Sequence, residues 1–245
     1  MKKAYSDGII LSNMEICPNI YELVLSGNFQ GQPGQFYMVR GWNGLDPLLP
    51  RPISISDLEN GNITFLYEVR GKGTHIISTL NIGDKLSVLG PLGNGFEIGE
   101  NKKVALVSGG IGIAPMLYLS KSLKSKPDLF LGFRNEIYLL DKFLAHTKNI
   151  YVSTEEGTFG YKGYIVDIFE PQNYDLVISC GPIPMMKALV DKCRGIVPVH
   201  LSMESRMACG IGACLGCTVE TIRGMERVCK EGPVFIGEEV FSWVE

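Results

Sequence analysis

The sequence predicts a multidomain fold of mixed β and α/β class, with three regions in succession. Short strand-like runs separated by turn residues extend to about residue 98, strand and helix patterns alternate over 99–200, and cysteine and glycine are concentrated over 201–245. A chain of 245 residues has room for one or two domains and a small appendage. We therefore expect an N-terminal antiparallel β-barrel, a central parallel sheet and a small C-terminal domain.

The first region has the pattern of a small antiparallel barrel. Its apolar or alternating runs are short, and the Gly, Pro, Asn and Asp residues between them favour turns. The predicted strands cover residues 9–11, 20–25, 36–40, 53–55, 63–69 and 85–89. Many short strands joined by turns are typical of a barrel.

Two motifs in this region can hold a phosphate-bearing ligand. Arg51 opens a strand, and its guanidinium can bind a pyrophosphate through two hydrogen bonds. In a regular strand Ser54 lies on the same side as Pro52 and opposite Arg51, so the two polar groups reach different parts of a ligand. Further along, Gly73 and Thr74 lie in a turn that can offer N–H groups and a hydroxyl to phosphate oxygens, at the start of a short helix. Alone, each motif is also common in proteins as an edge strand or a glycine-rich turn that binds no ligand.

From residue 99 the pattern changes to strands that alternate with helices. Strands are predicted at 104–107, 129–133, 150–154 and 176–179, and helices at 116–123, 137–144 and 184–193. This alternation indicates βαβ crossovers, which build a parallel sheet.

A glycine run follows the first of these strands and leads into a helix. Gly109, Gly110 and Gly112 allow the close backbone approach by which such sheets bind a pyrophosphate. The run is not the G-x-G-x-x-G pattern, and Asp128 precedes its strand instead of ending it. Alone, the run indicates a turn more strongly than a dinucleotide site.

Two other strand ends carry candidate ligand-binding residues. Cys180, Gly181 and Pro182 follow the strand at 176–179, and the carboxyl end of a parallel strand favours contact with a ligand. The alternative for Cys180 is a buried thiol that packs as a small apolar group. Glu155 or Glu156 can accept a hydrogen bond from a ribose 2′-hydroxyl and would repel a 2′-phosphate, which favours NAD over NADP.

The cysteines indicate a metal or redox centre. Seven cysteines, an odd number, form a poor disulfide framework. Cys209, Cys214, Cys217 and Cys229 have the C-x4-C-x2-C…C spacing of plant-type [2Fe–2S] sites, and the glycines between them allow N–H groups to approach the sulfurs. A structural zinc site is the alternative, although it usually has paired C-x2-C elements and only Cys214 and Cys217 form such a pair. Free thiols are the third interpretation.

Charge and hydropathy exclude some classes of partner. The chain has 23 Lys and Arg residues against 26 Asp and Glu residues, a net charge of −3, so no strong field favours nucleic acid or acidic lipid. The longest apolar runs are shorter than the ~20 residues of a membrane helix. The first residues have no apolar stretch of the kind found in a secretory signal. We expect a cytoplasmic protein without a nucleic-acid or membrane partner.

In combination, these motifs resemble the ferredoxin–NADP reductase superfamily. The resemblance implies that Arg51 and Ser54 hold a flavin, that the Gly73–Thr74 turn holds its pyrophosphate, and that residues 108–115 mark a pyridine-nucleotide domain in which Cys180 lies beside the nicotinamide. The order of the three regions resembles, over essentially the whole chain, the electron-transfer subunits of class 1B dihydroorotate dehydrogenase. Ile53 stands where the superfamily usually has an aromatic residue.

That resemblance implies FAD, one [2Fe–2S] cluster and NAD as cofactors. It implies an FAD-binding β-barrel over 1–98, an NAD-binding α/β domain over 99–200 and a [2Fe–2S] cluster domain over 201–245. Ser54 and Cys180 are the implied catalytic residues, and the four cysteines are the implied metal ligands. The implied cofactor-binding residues are Arg51, Pro52, Ile53, Ser54, Tyr67, Glu68, Val69, Gly73, Thr74, Gly109, Gly110, Gly112, Glu155, Cys180, Gly181 and Pro182.

The resemblance also implies a partner. Dihydroorotate oxidation would take place on an FMN-containing catalytic subunit, in a heterotetramer with two copies of each chain. Electrons would pass from that FMN through the cluster and FAD to NAD⁺, within pyrimidine biosynthesis. No general base for dihydroorotate is then expected in this chain.

Two alternatives stay open. The small subunit of NADH-dependent ferredoxin–NADP oxidoreductase, also described as sulfide dehydrogenase, is a related family that typically has Asp at the first cluster position, where this chain has Cys209. A ferredoxin- or sulfur-linked NAD(P)H reductase would use the same cofactors. The alternative of another class is a redox-sensing interaction module with a vestigial nucleotide fold, against which the glycine run and the Cys-Gly-Pro element speak.

Overall fold

The computed structural model describes residues 5–97, 99 and 102–241. Within them lie a closed barrel, a seven-stranded sheet and a two-stranded sheet. A barrel, then a mostly parallel sheet, then a small C-terminal unit is the predicted fold class, which is confirmed.

The barrel has six antiparallel strands in the order β1-β2-β5-β4-β3-β6. β1 closes it by pairing with β6. A short helix, α1 (Lys72–Ser78), connects β5 to β6. The strands are β1 (Tyr5–Cys17), β2 (Ile20–Ser26), β3 (Phe36–Arg40), β4 (Arg51–Glu59), β5 (Asn62–Glu68) and β6 (Lys85–Leu92).

Strand β3 is buried on both faces. Tyr37 and Val39 belong to the core inside the barrel, whereas Phe36 and Met38 belong to a second core shared with the sheet and the C-terminal region. Successive side chains of a strand point to opposite faces, so four apolar residues in a row require cover on both sides. β3 is therefore the wall through which the barrel contacts the rest of the molecule.

The central sheet has the order β10-β9-β8-β7-β11-β12-β15. All neighbouring pairs are parallel except β12 and β15, which are antiparallel. Its strands are β7 (Val104–Gly109), β8 (Asp128–Phe133), β9 (Ile150–Thr154), β10 (Tyr161–Lys162), β11 (Leu176–Cys180), β12 (Val199–Ser202) and β15 (Val234–Ile236). The two-stranded sheet pairs β13 (Thr218–Thr221) with β14 (Gly224–Arg227).

One predicted helix is much shorter in the structure. The helices after α1 are α2 (Ala114–Ser122), α3 (Leu140–Phe143), α4 (Ile183–Cys193) and α5 (Gly237–Phe241). The prediction for 137–144 was wrong in length, because Leu139 has a φ of 64°. A left-handed residue cannot lie inside a right-handed helix, so α3 begins only after it.

The two predicted domain boundaries, after residues 98 and 200, can be compared with the positions of the strands. β12 runs across the boundary predicted between residues 200 and 201 and ends two residues beyond it, and β15 joins the same sheet from the predicted C-terminal domain. Ile98, at the other boundary, lies outside the described residues, as do the two ends of the chain at 1–4 and 242–245. The boundaries stay predictions.

Polar contacts join the barrel to the central sheet domain. Lys121 of α2 forms an ion pair with Asp57 of β4, and Lys142 of α3 pairs with Glu22 of β2. The Tyr118 hydroxyl donates a hydrogen bond to the carbonyl oxygen of Gly31, between β2 and β3 of the barrel, at 3.1 Å. These contacts hold two helices of the sheet domain against the barrel.

Among the described residues, no helix has both the length and the apolar character needed to cross a membrane.

Candidate functional site

Arg51 lies at the start of β4, at one end of the barrel. Its guanidinium carbon lies 5.5 Å from the ring centre of Trp42, a cation–π contact worth about 0.5–1 kcal/mol at an exposed site. The guanidinium also faces the backbone of Gly73, where an added Cβ would lie 2.6 Å from the guanidinium carbon. The structure thus brings together Arg51 and the glycine turn, which are separate motifs in the sequence.

The turn before α1 is closed by the side chain of Thr74. Its hydroxyl oxygen accepts hydrogen bonds from the backbone N–H groups of Arg70 at 3.0 Å and Gly71 at 3.3 Å, and it donates to the Gly71 carbonyl oxygen at 3.1 Å. Thr74 therefore shapes the turn that presents Gly73. A direct bond from its hydroxyl to a phosphate stays a prediction.

Ser54 lies on the outer face of the barrel. Ile53 is buried in the barrel interior, while Pro52 and Ser54 are half-buried on the opposite face of β4. Ser54 is paired with Phe36 of β3, and Pro52 is paired with Met38. Because antiparallel partners point to the same face, Ser54 and Pro52 share the face through which β3 contacts the C-terminal region. Ile53 can offer a ligand only its backbone.

The predicted residues of β5 differ in what they can offer. The Tyr67 side chain is buried in the barrel, where its hydroxyl donates to Asn13 Oδ1 at 3.0 Å and burial raises its pKa. Glu68 is half-buried and accepts a hydrogen bond from Arg70 at 2.6 Å. Val69, just beyond the strand, is half-buried. Tyr67 therefore has only its backbone free for a ligand.

The glycine run packs directly on the Cys-Gly-Pro element. β7 ends at Gly109, and Gly110 has a φ of 53° in the 3₁₀ turn that leads into α2. Gly112 lies so close to the backbone of Cys180 that a Cβ added there would collide with the Cys180 carbonyl. The Ser108 hydroxyl donates a hydrogen bond to the same carbonyl oxygen at 2.9 Å.

The two elements meet because β7 and β11 are parallel neighbours. Cys180 lies opposite Ser108 in their register. An added Cβ on Gly109 would lie 2.8 Å from the Pro182 side chain, and one on Gly181, which has a φ of 158°, would lie 2.9 Å from the Gly109 backbone nitrogen. Both strands present their carboxyl ends at this edge, where open α/β sheets bind ligands.

Glu155 lies at the same edge but further along the sheet. It follows β9, which is two strands from β7, a separation of roughly 10 Å at the usual strand spacing. Its backbone N–H donates to the carbonyl oxygens of Phe133 and Arg134 at 3.3 and 3.2 Å, and the side chains of Glu155 and Glu156 are exposed. A ligand that reached both Cys180 and Glu155 would have to be extended.

A carboxyl group that the sequence did not single out acts on Cys180. Burial raises the pKa of the Cys180 thiol, the charge of Glu204 raises it further, and a hydrogen bond with Ser202 lowers it. Glu204 is exposed at the surface, but the protein around it reduces its hydration and so raises its pKa, while Arg70 lowers it and Glu68 raises it. Glu204 thus interacts electrostatically both with Cys180 and with the Glu68–Arg70 pair that follows β5, a tertiary relation with no local sequence signal.

The four C-terminal cysteines lie in two pairs, and all seven cysteines of the chain are free thiols. Cys209 and Cys214 share a hydrogen bond, as do Cys217 and Cys229. Cys214 is exposed, Cys209 is half-buried, and Cys217 and Cys229 are buried.

Backbone N–H groups point at the sulfurs. Ala213 donates to Cys209 Sγ at 3.3 Å, and Gly212 donates to Cys229 Sγ at 3.1 Å. Burial raises the pKa of Cys209, but hydrogen bonds from the backbone and from Cys214 outweigh it and lower the pKa to about 6. Burial and the adjacent Cys217 thiol raise the pKa of Cys229 to about 12. The loop around Cys209 therefore favours the thiolate form that a metal needs.

This donor set fits a two-iron centre. In a [2Fe–2S] cluster four thiolates serve two irons, two to each, and the two cysteine pairs with N–H groups at their sulfurs match that division of ligands. Within the described part of the chain, no three metal-ligating side chains are close enough to hold a single ion.

The cysteine loop is packed against the outer face of the barrel. Gly210 has a φ of 68°, and an added Cβ would lie 2.6 Å from Met38 Cγ of β3 and 3.0 Å from the Leu92 side chain of β6. Cys217 and Cys229 belong to the same apolar core as Met38 and Leu92. Since Met38 is the cross-strand neighbour of Pro52, the predicted flavin motif and the cysteine loop share one face of the barrel.

A family model matches the C-terminal part of the chain. Residues 204–241 match the iron–sulfur cluster binding domain of dihydroorotate dehydrogenase B. The matched range includes Glu204 and all four cysteines.

Curated relatives match almost the whole chain. The chain is 48% identical over 243 residues to a Clostridium acetobutylicum protein named dihydroorotate dehydrogenase B (NAD(+)), electron transfer subunit, with 98% of both chains covered. A protein of the same name from Clostridium perfringens is 43% identical, with 98% of this chain and 99% of that protein covered. The family resemblance inferred from the motifs is confirmed.

Solved structures share the fold. A structure of NADH-dependent reduced ferredoxin–NADP oxidoreductase, described in connection with flavin-based electron bifurcation, has a TM-score of 0.85 and 28% identity, covering 95% of this chain and 89% of its own. A ferredoxin NADP⁺ reductase from Neisseria gonorrhoeae with bound FAD and NADP has a TM-score of 0.62 at 15% identity, covering 78% of this chain and 91% of its own. The latter similarity is one of fold alone.

Proposed function

The chain belongs to the family of dihydroorotate dehydrogenase B electron transfer subunits, and we propose on that basis that it carries electrons from a dihydroorotate-oxidising partner to NAD⁺. It is then a subunit of an NAD-linked oxidoreductase of pyrimidine biosynthesis. The relatives' names give the acceptor and the role as a subunit.

Three cofactors are assigned to the three regions. FAD belongs to the barrel (1–98), NAD to the central domain (99–200) and a [2Fe–2S] cluster to the C-terminal domain (201–245). Bound there, FAD exchanges a hydride with NAD⁺ and single electrons with the cluster, which couples two-electron to one-electron chemistry.

Each predicted residue has a role toward these groups. Arg51, fixed between Trp42 and the Gly73 backbone, neutralises the FAD pyrophosphate. Ser54 donates a hydrogen bond to the flavin from the outer barrel face. Cys180, buried at the end of β11, borders the nicotinamide and keeps water away from it.

The NAD, cluster and remaining flavin contacts are assigned to the other predicted residues. The backbone of the glycine run (Gly109, Gly110 and Gly112) receives the NAD pyrophosphate, and Glu155 accepts a hydrogen bond from a ribose hydroxyl. Cys209, Cys214, Cys217 and Cys229 hold the cluster. The other flavin-binding residues are Pro52, Ile53, Tyr67, Glu68, Val69 and Thr74, and Gly181 and Pro182 join Cys180 at the nicotinamide.

The observation that carries the proposal is the shared barrel face. Pro52 and Ser54 stand beside Met38 and Phe36, and the cysteine loop contacts Met38 through Gly210. This arrangement supports an electron path between flavin and cluster inside one chain.

The partner is a separate catalytic subunit. The phrase electron transfer subunit in the relatives' names implies one. We propose that this partner contains FMN and that two copies of each chain form a heterotetramer. Nucleic acid has no role in this scheme.

The proposal is tested on the protein purified without oxygen. We expect FAD, and iron and inorganic sulfide at two atoms of each per chain, together with NADH oxidation by an artificial acceptor. Zinc without sulfide, or a colourless protein, would overturn the proposal.

The ligand assignment has its own test, in Cys214→Ser. This variant should lose the paramagnetic signal of the reduced cluster while FAD stays bound, because Cys214 is not among the proposed flavin-binding residues. Cys17→Ser, which changes a half-buried cysteine outside the loop, serves as the control and should keep the signal. An unchanged signal in Cys214→Ser would contradict the assignment.

A second candidate function has one observation in its favour. The 28% identity to the NADH-dependent reduced ferredoxin–NADP oxidoreductase structure makes a ferredoxin- or sulfur-linked reductase subunit the alternative. Co-purification distinguishes the two, since the first function requires an FMN-containing, dihydroorotate-oxidising partner.

A further inference from the structure

Arg227 joins the two parts of the chain that carry the cluster cysteines. Its Nη1 donates to the carbonyl oxygen of Gly212, in the loop of the first three cysteines, at 2.7 Å. Its Nε donates to Glu231 Oε2 at 2.9 Å, and its Nη2 pairs with the other carboxylate oxygen. The backbone N–H of Arg227 also donates to Glu231 Oε2, at 2.8 Å. A planar guanidinium that uses all these contacts has a fixed position.

Gly212 is held from both sides of its peptide backbone. Its N–H donates to Cys229 Sγ at 3.1 Å, while its carbonyl accepts the bond from Arg227. Its φ of 83° is a conformation that favours glycine, and an added Cβ would lie 2.6 Å from the Lys230 side chain. The carbonyl that Arg227 holds shares its peptide plane with the Ala213 N–H, which donates to Cys209 Sγ at 3.3 Å. Arg227 therefore orients the N–H group at the first sulfur and fixes Gly212 between that contact and the fourth sulfur.

The same segment is anchored to the barrel by Asn94. The Asn94 side-chain amide donates to the carbonyl oxygens of Lys230 at 3.2 Å and Glu231 at 2.9 Å, and its backbone N–H donates to Gly232 at 2.7 Å. Asn94 follows β6, a strand of the barrel wall that contacts the cysteine loop. A continuous set of hydrogen bonds thus runs from the barrel through Glu231 and Arg227 to the loop.

Charge adds a second effect to this geometry. A [2Fe–2S] centre with four thiolates is anionic and gains another negative charge on reduction, and its potential depends on net charge and on hydrogen bonds to the sulfurs. Arg227 lies close to the buried pair Cys217 and Cys229: it stands opposite Thr218, the residue after Cys217, in the β13–β14 pairing, and two residues before Cys229. The carboxylate of Glu231 opposes that positive charge.

We propose that Arg227 is the positioning residue of the cluster loop, with Glu231 as its partner: together they fix Gly212 at the fourth sulfur, and their opposite charges set the cluster potential from two sides. The inference rests on the proposed [2Fe–2S] assignment and names residues of this chain that act on the cluster without binding iron.

The test compares matched variants of the holoprotein. Arg227→Gln and Glu231→Gln each break the ion pair, and Arg223→Gln removes another arginine of the same hairpin, which pairs with Glu226 and Glu239 instead. The measurements are the midpoint potential of the cluster, from a redox titration followed by electron paramagnetic resonance, and the rate of iron release to a chelator.

The two readouts separate position from charge. Both Arg227→Gln and Glu231→Gln should release iron faster, on the order of 10–100-fold, because the loss of an outer-shell partner of a metal ligand usually lowers metal affinity by that factor. Their potentials should move in opposite directions, lower without the guanidinium and higher without the carboxylate. Arg223→Gln should match the wild type in both measurements.

A further variant covers the case in which Arg227→Gln does not fold. Arg227→Lys keeps the positive charge and loses the planar fork, so its potential should stay near the wild-type value while iron release is faster. The inference would be overturned, with the proposed function unaffected, if Arg227→Gln and Glu231→Gln had the same iron-release rate and cluster potential as Arg223→Gln. The same result for Arg227→Lys and Glu231→Gln would overturn it equally. Wild-type protein without iron and sulfide would overturn the proposed function as well.

Discussion

Single side chains of the proposed flavin and nucleotide sites are positioned by residues outside their own motifs. Trp42 stacks on the Arg51 guanidinium, and Glu204 acts on Cys180 from beyond the next strand. Neither Trp42 nor Glu204 belongs to a recognisable motif. At this scale the motifs predict which residues meet a ligand, and the fold supplies the neighbours that orient them.

Replacing Arg51 tests the phosphate role directly. Arg51→Ala should weaken FAD binding by about 1.5–3 kcal/mol, on the order of 10–150-fold in Kd, since a charged hydrogen bond is lost. Flavin retained on dilution and gel filtration measures this. Arg194→Ala, which changes an exposed arginine paired with Asp191 on α4, should behave like the wild type. Equal retention in both variants would contradict the role.

The raised pKa of Glu204 predicts a pH-dependent stability. A carboxyl whose pKa is higher in the folded than in the unfolded state favours folding below its ordinary pKa near 4.5, and that contribution is lost as the pH rises through the raised value. Glu204→Gln removes the group that must ionise, so it should raise the Tm at neutral pH.

The pH dependence of that difference is the control. The Tm of Glu204→Gln should approach the wild-type value as the pH falls toward 4.5, in unfolding scans over a series of buffers. Glu59→Gln, at the exposed end of β4, is the matched control in the same scans. A difference that is constant with pH would argue against a shifted carboxyl.

At the scale of elements, close packing of backbone against backbone shapes the proposed nucleotide site. Gly112 leaves no room between the 3₁₀ turn before α2 and the Cys180 carbonyl. Gly112→Ala should destabilise the fold by about 1–3 kcal/mol, as overpacking does, and should weaken NAD binding. Urea unfolding and NAD titration measure the two effects.

The matched control is a glycine with space around it. An added Cβ on Gly44 would have only a backbone nitrogen within reach, at 4.0 Å. Gly44→Ala should therefore leave stability and NAD binding unchanged. Equal stability of the two variants would show that the close approach at Gly112 is relieved at little cost.

Most strands and helices could be predicted from the sequence, because each has its own hydrophobic period. β3 and β9 have the predicted limits. The exceptions depend on tertiary contacts: α3 is cut short at the left-handed Leu139. β12 is only four residues long and follows a proline, so its pattern is too short to read without its neighbours β11 and β15.

In the candidate site, too, some features have a local sequence pattern and others depend on tertiary contacts. The cysteine spacing, the glycine run and the Cys-Gly-Pro element are local patterns, and each is fixed by a chemical need that few residue types meet. The positions of Asn94, Arg227 and Glu204 depend on chain segments far apart in sequence, so their contacts appear only in the folded molecule.

At the scale of the whole molecule, ion pairs between the barrel and the sheet domain help to fix the relative position of the two proposed cofactor sites. The pair Lys121–Asp57 is largely shielded, with 29% and 15% of the side chains exposed, whereas Lys72–Asp46 lies in the open at 58% and 79%. Shielding reduces screening by salt.

A double-mutant cycle on Lys121→Gln and Asp57→Asn should give a coupling energy of about 0.5–1 kcal/mol. The same cycle on Lys72 and Asp46 should give a value near zero, because both side chains are largely exposed to solvent. Chemical unfolding of the single and double variants provides both values. A Lys121–Asp57 coupling no larger than that of the exposed pair would mean that apolar contacts alone hold the domains together.

The antiparallel strand β15 has a consequence for how this protein can be divided. It comes from the cysteine-containing region, yet it forms hydrogen bonds with β12 as the outermost member of the nucleotide sheet. Cutting the chain ahead of the cysteines would leave the row of N–H and C=O groups on β12 open to pairing with other molecules. The C-terminal region is therefore not an independently removable domain. A truncated chain that lacks it should aggregate unless the open edge of β12 is covered or redesigned.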